Sequence, residues 1–178
     1  MIDIVQRDNP VLHAKAGDVP LSDIGTTHLN KILRDMTTAL ASQHDGIAIA
    51  APQIGVPLRI FIVSGSLLRE ADPEYTGEAV PLVFINPTIT RLSKEKKSVE
   101  EGCLSVRWLY GKVPRSLRAT VRAINEKGDK IERGASGLLA QIFQHEVDHL
   151  EGILFTDRAT DLWEMEQAEI DELQKKRK

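Results

Sequence analysis

The feature that most constrains this chain is a pair of histidines near its carboxy-terminal end, His145 and His149, within the sequence HEVDH. Apolar residues spaced as on one helix face precede the pair, Ser136 is suited to begin a helix and Gly152 to end one. Residues four apart lie one above the other on a helix. We therefore expect a helix over residues 137–151 whose two imidazoles project from the same face.

The face that carries these histidines is otherwise apolar. Leu138 and Ile142 fall in the same sector as the imidazoles, whereas Gln144, Asp148 and Glu151 fall on the opposite side. Buried imidazoles beside the carboxylate of Glu146 need partners, and a shared metal ion would satisfy both. Core histidines satisfied by backbone groups are the alternative. The HExxH spacing favours a metal site with Glu146 as general acid and base.

A catalytic metal needs three protein ligands and one open position. No histidine follows His149, and Glu151 lies on the wrong face of the helix. Cys103, the single cysteine of the chain, is the remaining good candidate, because Gly102 before it allows backbone and ligand to approach closely. The alternative is that Cys103 is a small buried apolar residue.

The remaining pattern predicts one α+β domain over residues 1–178, with antiparallel sheets surrounding a central metal-binding HExxH helix. An N-terminal helix is expected over 23–43 and a C-terminal helix over about 161–176, followed by a short basic tail. Short apolar runs predict strands at 47–51, 58–63, 82–85, 88–92, 119–124 and 130–133. Residues 65–77 resemble a surface insertion.

The charge balance argues against DNA or a membrane as partner. The net charge is −3, from 23 basic and 26 acidic residues, so no global field would recruit either polyanion. No secretory signal or membrane span is evident, which favours a cytoplasmic protein, with an organellar one after transit-peptide removal left open. The basic residues 175–178 either complement a helix dipole or contact ribosomal RNA phosphates.

Three ordered segments resemble the signatures of the peptide deformylase family: GIAIAAPQ at 46–53, EGCLS at 101–105 and QHEVDH at 144–149. The similarity extends from the NPVL sequence at 9–12 to the end of the histidine helix. The resemblance implies metal-dependent hydrolysis of the N-terminal formyl group from N-formylmethionyl nascent peptides, with release of formate. It also implies a contact of the C-terminal helix with the ribosome.

The resemblance further implies roles for particular residues. One divalent metal would be held by Cys103, His145 and His149, with Fe(II) favoured by the family and zinc, nickel or cobalt also suited to the site. A metal-bound water would be the nucleophile, and Glu146 would move its proton. The Gln53 amide and the Leu104 N–H would stabilise the oxyanion. Without the resemblance, Gln53 would be interpreted as a turn residue.

The positions that match the family's substrate groove are Ile47, Ala48, Val99, Gly102, Leu138 and Ile142. Each could instead be plain core. The sequence departs from the family pattern at Ala48, usually glycine, at Arg107, often proline, at Tyr110, often arginine, and at Gln141, usually apolar. Peptide preference beyond methionine is therefore open. The rival hypotheses are an HExxH metalloprotease and a deformylase-like module that binds amino termini without hydrolysis.

Overall fold

The computed structural model describes residues 2–67 and 81–175. Three helices are named here α1 (Thr27–Ala41), α2 (Gly137–Leu150) and α3 (Gln167–Lys175). The strands are β1 (Ala48–Ala50), β2 (Ile60–Val63), β3 (Leu82–Leu92), β4 (Lys96–Cys103), β5 (Val106–Ser116), β6 (Arg118–Ile124), β7 (Lys130–Ser136) and β8 (Thr160–Glu164).

The strands form two antiparallel sheets. One has five strands in the order β1-β2-β3-β6-β7, and the other has three in the order β4-β5-β8. Helix α2 packs against strands of both sheets. The predicted α+β class with antiparallel sheets and a C-terminal helix is therefore confirmed.

The five-stranded sheet lies between α1 and α2, and β2 shows why. Successive side chains of a strand point to opposite faces. Ile60 and Ile62 accordingly join the α1 core, whereas Phe61 and Val63 join the α2 core. On the α2 side, the rings of Phe61, Phe84 and Phe143 pack together, with centroids 4.4 Å and 5.3 Å apart along the series. The uniformly apolar β2 run is thus explained by burial on both faces.

Helix α1 begins later than expected. The predicted start at Asp23 lies in a short 3-10 turn, Leu21–Asp23, and Gly25 has a φ of 81°, which interrupts the helix. The Thr26 hydroxyl then accepts a hydrogen bond from Leu29 N and caps the helix.

Helix α2 covers nearly the predicted range, but its ends differ in detail. Ser136 precedes the helix as expected, yet its side chain makes no capping hydrogen bond. Gly152 follows the end with a φ of 74°, and a Cβ there would lie 2.8 Å from the backbone of His13. Both the left-handed backbone and the close approach therefore require glycine at this position.

The strand predictions were incomplete. Residues 82–85 and 88–92 belong to one strand, β3, bent where Asn86 adopts a φ of 50°. Strands β4 and β5 were missed. Four of the eight residues of β4 are charged and four are exposed, so this strand shows no apolar alternation. The insertion predicted at 65–77 lies almost wholly outside the described residues.

The C-terminal helix was predicted too long. Residues Thr160–Glu164 form β8, paired with β5, and the helix starts only at Gln167. Across this strand pair the rings of Tyr110 and Trp163 stack, with centroids 6.1 Å apart. Such cross-strand contacts stabilise β8, and local helix propensity does not predict them. No helix in 2–67 or 81–175 is long and apolar enough to cross a membrane.

Candidate metal centre

Two distant segments bring the three predicted metal ligands together. The end of β4 supplies Cys103, and one face of α2 supplies His145 and His149. The Cys103 Sγ lies 3.2 Å from the His149 Nε2. One donor atom from each of the three residues lies within 4.8 Å of the others. This is the group of side chains, among the described residues, that could hold a metal.

The chemistry of these donors fits a divalent ion. With bonds of about 2.0–2.3 Å, tetrahedral ligand atoms lie roughly 3.5 Å apart, which the cluster can accommodate. Burial raises the pKa of Cys103, but the two neighbouring imidazoles outweigh it and lower the pKa from 9.0 to about 5. The thiolate, which is the form that binds metals, therefore prevails at neutral pH.

A buried ionic network holds His145 from behind. Its Nδ1 lies 2.9 Å from Glu101 Oε2, and both carboxylate oxygens of Glu101 accept from Arg115, at 2.7 and 2.9 Å. Arg115 also donates to Asp148 at 2.6 Å. Because Nδ1 is engaged, Nε2 of His145 is left for the cluster, an arrangement typical of metal-binding histidines.

The network shifts the protonation of its members. Burial would raise the pKa of Glu101, but the Arg115 and His145 partners lower it from 4.5 to about 2. Burial disfavours the charged imidazole of His145, yet Cys103 and Glu101 raise its pKa well above the usual value. Glu101 is therefore a carboxylate at neutral pH and a permanent acceptor for His145.

Sequence reasoning missed this network, although one signal for Arg115 exists. In β5, Val113 and Arg115 are buried while Lys112 and Pro114 are exposed, so Arg115 occupies an inward position of the strand. A charged side chain at an inward position requires a buried partner. The alternation, had β5 been recognised, would have indicated a buried ion pair.

The side of α2 opposite the histidines is also buried. Asp148 pairs with Arg115, and the Gln144 side chain exchanges hydrogen bonds with the backbone of Ser116 at 2.9 and 3.0 Å. Glu151, as expected, turns away and pairs with Lys15 and Arg59. These contacts fix the rotation of α2 about its axis and so the direction of both imidazoles.

Glu146 is buried beside the cluster. Its Oε2 has no hydrogen-bond partner among the residues that the structure describes. Burial is the chief cause of a pKa raised from 4.5 to about 7, only partly offset by the two histidines. A carboxyl with this pKa can both accept and release a proton near neutral pH.

Gln53 is fixed in one orientation. Its Oε1 accepts from Ala50 N at 2.8 Å, so it does bond to its own turn, as the alternative interpretation supposed. Its Nε2, however, lies 3.2 Å from Ser105 Oγ and 3.5 Å from Cys103 Sγ. The amide N–H groups therefore point toward Cys103, one of the three candidate metal ligands. Leu104, next to Cys103, is buried and lines the same space.

A cavity of about 270 Å³ opens at the cluster. Five of the six predicted substrate positions line it: Ile47, Ala48, Gly102, Leu138 and Ile142. Val99 does not. It lies in β4 opposite Val113, whereas the β4 part of the lining begins at Glu100. Leu138, predicted on the buried stripe, is 47% exposed because it faces this cavity rather than the core.

The positions that depart from the family pattern also line the cavity: Ala48, Arg107, Tyr110 and Gln141. The Gln141 side chain donates to Glu100 O at 2.8 Å, and so ties α2 to β4 at the cavity wall. None of the four displaces Cys103, His145 or His149 from the candidate donor group.

Comparison with known proteins agrees with this geometry. The model of the polypeptide deformylase family matches residues 1–164. A peptide deformylase of Desulforudis audaxviator is 38% identical over 163 residues, covering 92% of this chain and 96% of the relative. One from Thermomicrobium roseum is 41% identical over 161 residues, covering 89% and 85% respectively.

Solved structures are similar as well. A class I type b peptide deformylase of Acinetobacter baumannii with bound Met-Ala-Ser superposes with a TM-score of 0.77 at 32% identity, covering 89% of this chain and 99% of that one. An actinonin complex from Synechococcus elongatus gives a TM-score of 0.74 at 31% identity, covering 99% and 85%. The chain therefore belongs to the peptide deformylase family, a family of hydrolases that act on formylated peptides.

Proposed function

We propose that this chain removes the formyl group from N-formylmethionyl nascent peptides by hydrolysis, releasing formate and a free amino terminus. The observation that carries the proposal is that Cys103, His145 and His149 meet beside a cavity lined by Glu146, whose buried Oε2 has no hydrogen-bond partner among the described residues. The whole chain, residues 1–178, is proposed to form one catalytic domain.

Cys103, His145 and His149 would hold the divalent metal. When bound, such an ion polarises a carbonyl and eases the deprotonation of water. Fe(II) is proposed as the physiological metal on the family resemblance, because a thiolate beside two imidazoles suits iron, zinc, nickel and cobalt alike.

Glu146 is proposed as the general acid and base. Its buried carboxylate takes the proton of the attacking water and returns it to the departing amine. The raised pKa of Glu146, about 7, matches a group that must exchange a proton in both directions near neutral pH. Since no residue in 2–67 or 81–175 forms a hydrogen bond with its Oε2, one oxygen is available for this transfer.

Gln53 and Leu104 are proposed to stabilise the oxyanion. As water attacks the formyl carbon, negative charge grows on the formyl oxygen, and donors already in place lower the barrier. The Gln53 amide is held by Ala50 and Ser105, so it does not have to reorient. The backbone N–H of Leu104 would be the second donor.

The peptide is proposed to bind between the two sheets. Strands β1 and β4 each end the order of their sheet, so each has an edge that can pair with an extended peptide. The apolar side chains of Ile47, Leu138 and Ile142 line the intervening cavity and would receive the methionine side chain. Ala48 and Gly102 would lie closest to the peptide backbone. Val99, further along β4, is not proposed as a contact.

The test uses full-length protein loaded anaerobically with Fe(II), and measures formate released from formyl-Met-Ala-Ser. We expect release by the wild type and a loss of at least about 100-fold in Glu146→Gln, with metal content unchanged. Glu132→Gln, an exposed β7 carboxylate paired with Arg122, is the matched control and should leave the rate unchanged. Equal rates for wild type and Glu146→Gln would contradict the proposal.

The same preparations separate the rival hypotheses. Cleavage of internal peptide bonds in unformylated peptides would support a metalloprotease, and binding of formyl peptides without formate release would support a non-hydrolysing module. A metalloprotease is disfavoured because the third candidate donor among the described residues is Cys103 rather than a histidine or glutamate. The non-hydrolysing module is disfavoured because, among the described residues, the candidate donor group and Glu146 are all in place.

We also propose that α3 and the basic tail contact the ribosome. The alternative is that the basic residues form a solvated helix end whose charges complement the helix dipole. Residues 176–178 lie outside the described residues. Co-sedimentation with ribosomes before and after deletion of the last four residues tests the contact, and unchanged co-sedimentation would refute it. The proposed compartment is the cytoplasm.

A further inference from the structure

One rim of the cavity is formed by four residues that the proposed reaction does not use: Asp45, Arg107, Trp108 and Tyr110. Asp45 lies in the loop before β1, and the other three lie in the first half of β5. This rim cluster therefore joins the two walls between which a peptide would extend.

The charge of Arg107 is already compensated. Its guanidinium makes a two-point ion pair with the Asp45 carboxylate, at 2.5 and 3.1 Å, and donates to Gln43 Oε1 at 2.7 Å. The Arg107 side chain is only 17% exposed and that of Asp45 32%. A two-point pair of this kind fixes the geometry as well as the charge. Within the rim cluster, Asp45 therefore neutralises the charge of Arg107.

Trp108 adopts an unusual backbone conformation and contacts its neighbours. Trp108 has a φ of 64°, which is unusual for a bulky residue, and its carbonyl accepts from Met165 N at 2.8 Å. The guanidinium of Arg107 lies 5.0 Å from the Trp108 ring centre. A strained backbone maintained by several contacts is characteristic of functional sites.

Tyr110 is equally constrained. Its ring stacks on Trp163 on one side, and on the other it lies so close to Gly102 that a Cβ there would be 2.5 Å from the ring. Burial raises the pKa of Tyr110, and the Asp45 charge raises it further. The two aromatic rings and the neutralised ion pair thus form one preassembled surface.

Resting on the proposed function, we propose that Asp45 is a specificity-determining residue. By neutralising Arg107, it keeps the rim from attracting acidic side chains, and leaves apolar and aromatic residues after the formylmethionine as the preferred substrates.

The physical reason is a competition for one guanidinium. A peptide carboxylate at the rim would have to displace Asp45 from Arg107, and so would exchange one ion pair for another with no net gain. An apolar or aromatic side chain instead removes area from water against the Trp108 and Tyr110 rings. Without Asp45, Arg107 would become an anion-binding group at the same place.

The test compares isosteric peptides on the metal-loaded enzyme. Formate release is measured with formyl-Met-Asp-Ala and formyl-Met-Asn-Ala, both amidated at the carboxy terminus. A second pair, formyl-Met-Ala-Asp and formyl-Met-Ala-Asn, is assayed in the same way. In Asp45→Asn we expect the Asp-to-Asn ratio of kcat/KM to rise about fivefold, the upper range for a partly exposed charge pair. In Arg107→Gln it should fall by a similar factor, because Asp45 then repels acidic peptides.

Glu132→Gln, which removes the partner of an exposed arginine far from the cavity, is the control and should leave the ratio unchanged. The dissociation constants of the deformylated peptides, measured by calorimetry, give the same ratio without turnover. Shifts in opposite directions in the two variants support the proposal. Ratios that change by less than about 1.5-fold in both, or in the same direction, overturn it. Absence of formate release with the binding ratios shifted would contradict the proposed hydrolysis alone.

Discussion

Replacing Arg115 by methionine tests whether the buried network stabilises the fold and the site together. The substitution keeps most of the side-chain length but leaves Glu101 without its main partner. Although burial would raise it, Arg115 and His145 together lower the Glu101 pKa from 4.5 to about 2, which corresponds to about 3 kcal/mol for both partners, since one pKa unit equals about 1.4 kcal/mol. Breaking a buried ion pair generally destabilises by about 3–5 kcal/mol.

The two figures agree, and the lower end applies here for a structural reason. After the change, Glu101 still accepts from His145, and Asp148 still lies 3.3 Å from Arg158. We therefore expect Arg115→Met to lower the free energy of unfolding by about 3 kcal/mol. Because Glu101 also orients His145, metal affinity should fall about 10-fold to 100-fold.

The assay is urea unfolding of the metal-free protein, followed by metal titration of the folded variant. Metal-free protein is used because a ligand that binds only the native state adds to its apparent stability. Arg122→Met is the matched control, since its pair with Glu132 is exposed and should contribute less than about 1 kcal/mol. If both variants lost the same stability, or if Arg115→Met bound metal as tightly as the wild type, the reasoning would be refuted.

Three further predictions follow from packing and charge. Gly102→Ala should weaken formyl-peptide turnover and lower stability, because the added Cβ would lie 2.5 Å from the Tyr110 ring. Adding Tyr110→Ala should restore the melting temperature, and no recovery would exclude the clash as the cause. Phe143→Ala should lower unfolding stability by about 3–5 kcal/mol, whereas Leu92→Ala, half exposed on β3, should change it little; similar losses in urea would contradict the assigned core. Because the pKa of Glu101 is depressed in the folded state, its ionisation stabilises the fold above pH 4.5, and this stabilisation is lost as the pH falls toward 2. In metal-free Glu101→Gln, the free energy of unfolding should therefore decrease less steeply over this pH range than in the wild type. Parallel curves for the two proteins would contradict this prediction.

Much of the fold was predictable because its signals are local. The i, i+4 spacing of His145 and His149 places both imidazoles on one helix face, whatever the rest of the chain does. The continuous apolar sequence of β2 and the apolar face of α1 likewise indicate which faces of these elements are buried. The elements that were misjudged depend on pairing instead: β4 is rich in charge, and β8 is a strand because it lies beside β5 rather than because of its own propensity.

The candidate site divides in the same way. The HEVDH spacing and the single cysteine predicted three candidate metal donors, and the structure places them together, although metal binding and catalytic roles stay predictions. The network of Glu101, Arg115 and Asp148 behind His145 was not predicted, because its members are distant in sequence. Arg115 lies 14 positions from Glu101 and 33 from Asp148, and His145 lies 44 positions from Glu101.

The sequence by itself therefore determined that His145 and His149 share one helix face, because a helix repeats its geometry every few residues. Only the tertiary structure decided that the Arg115 guanidinium and the Glu101 carboxylate are buried together behind His145, and that Asp45 neutralises Arg107 at the cavity rim. Ion pairs between distant residues produce no periodic pattern in a sequence, because any two opposite charges could form them. The packing of the sheets and α2 determines which charges lie close enough to pair.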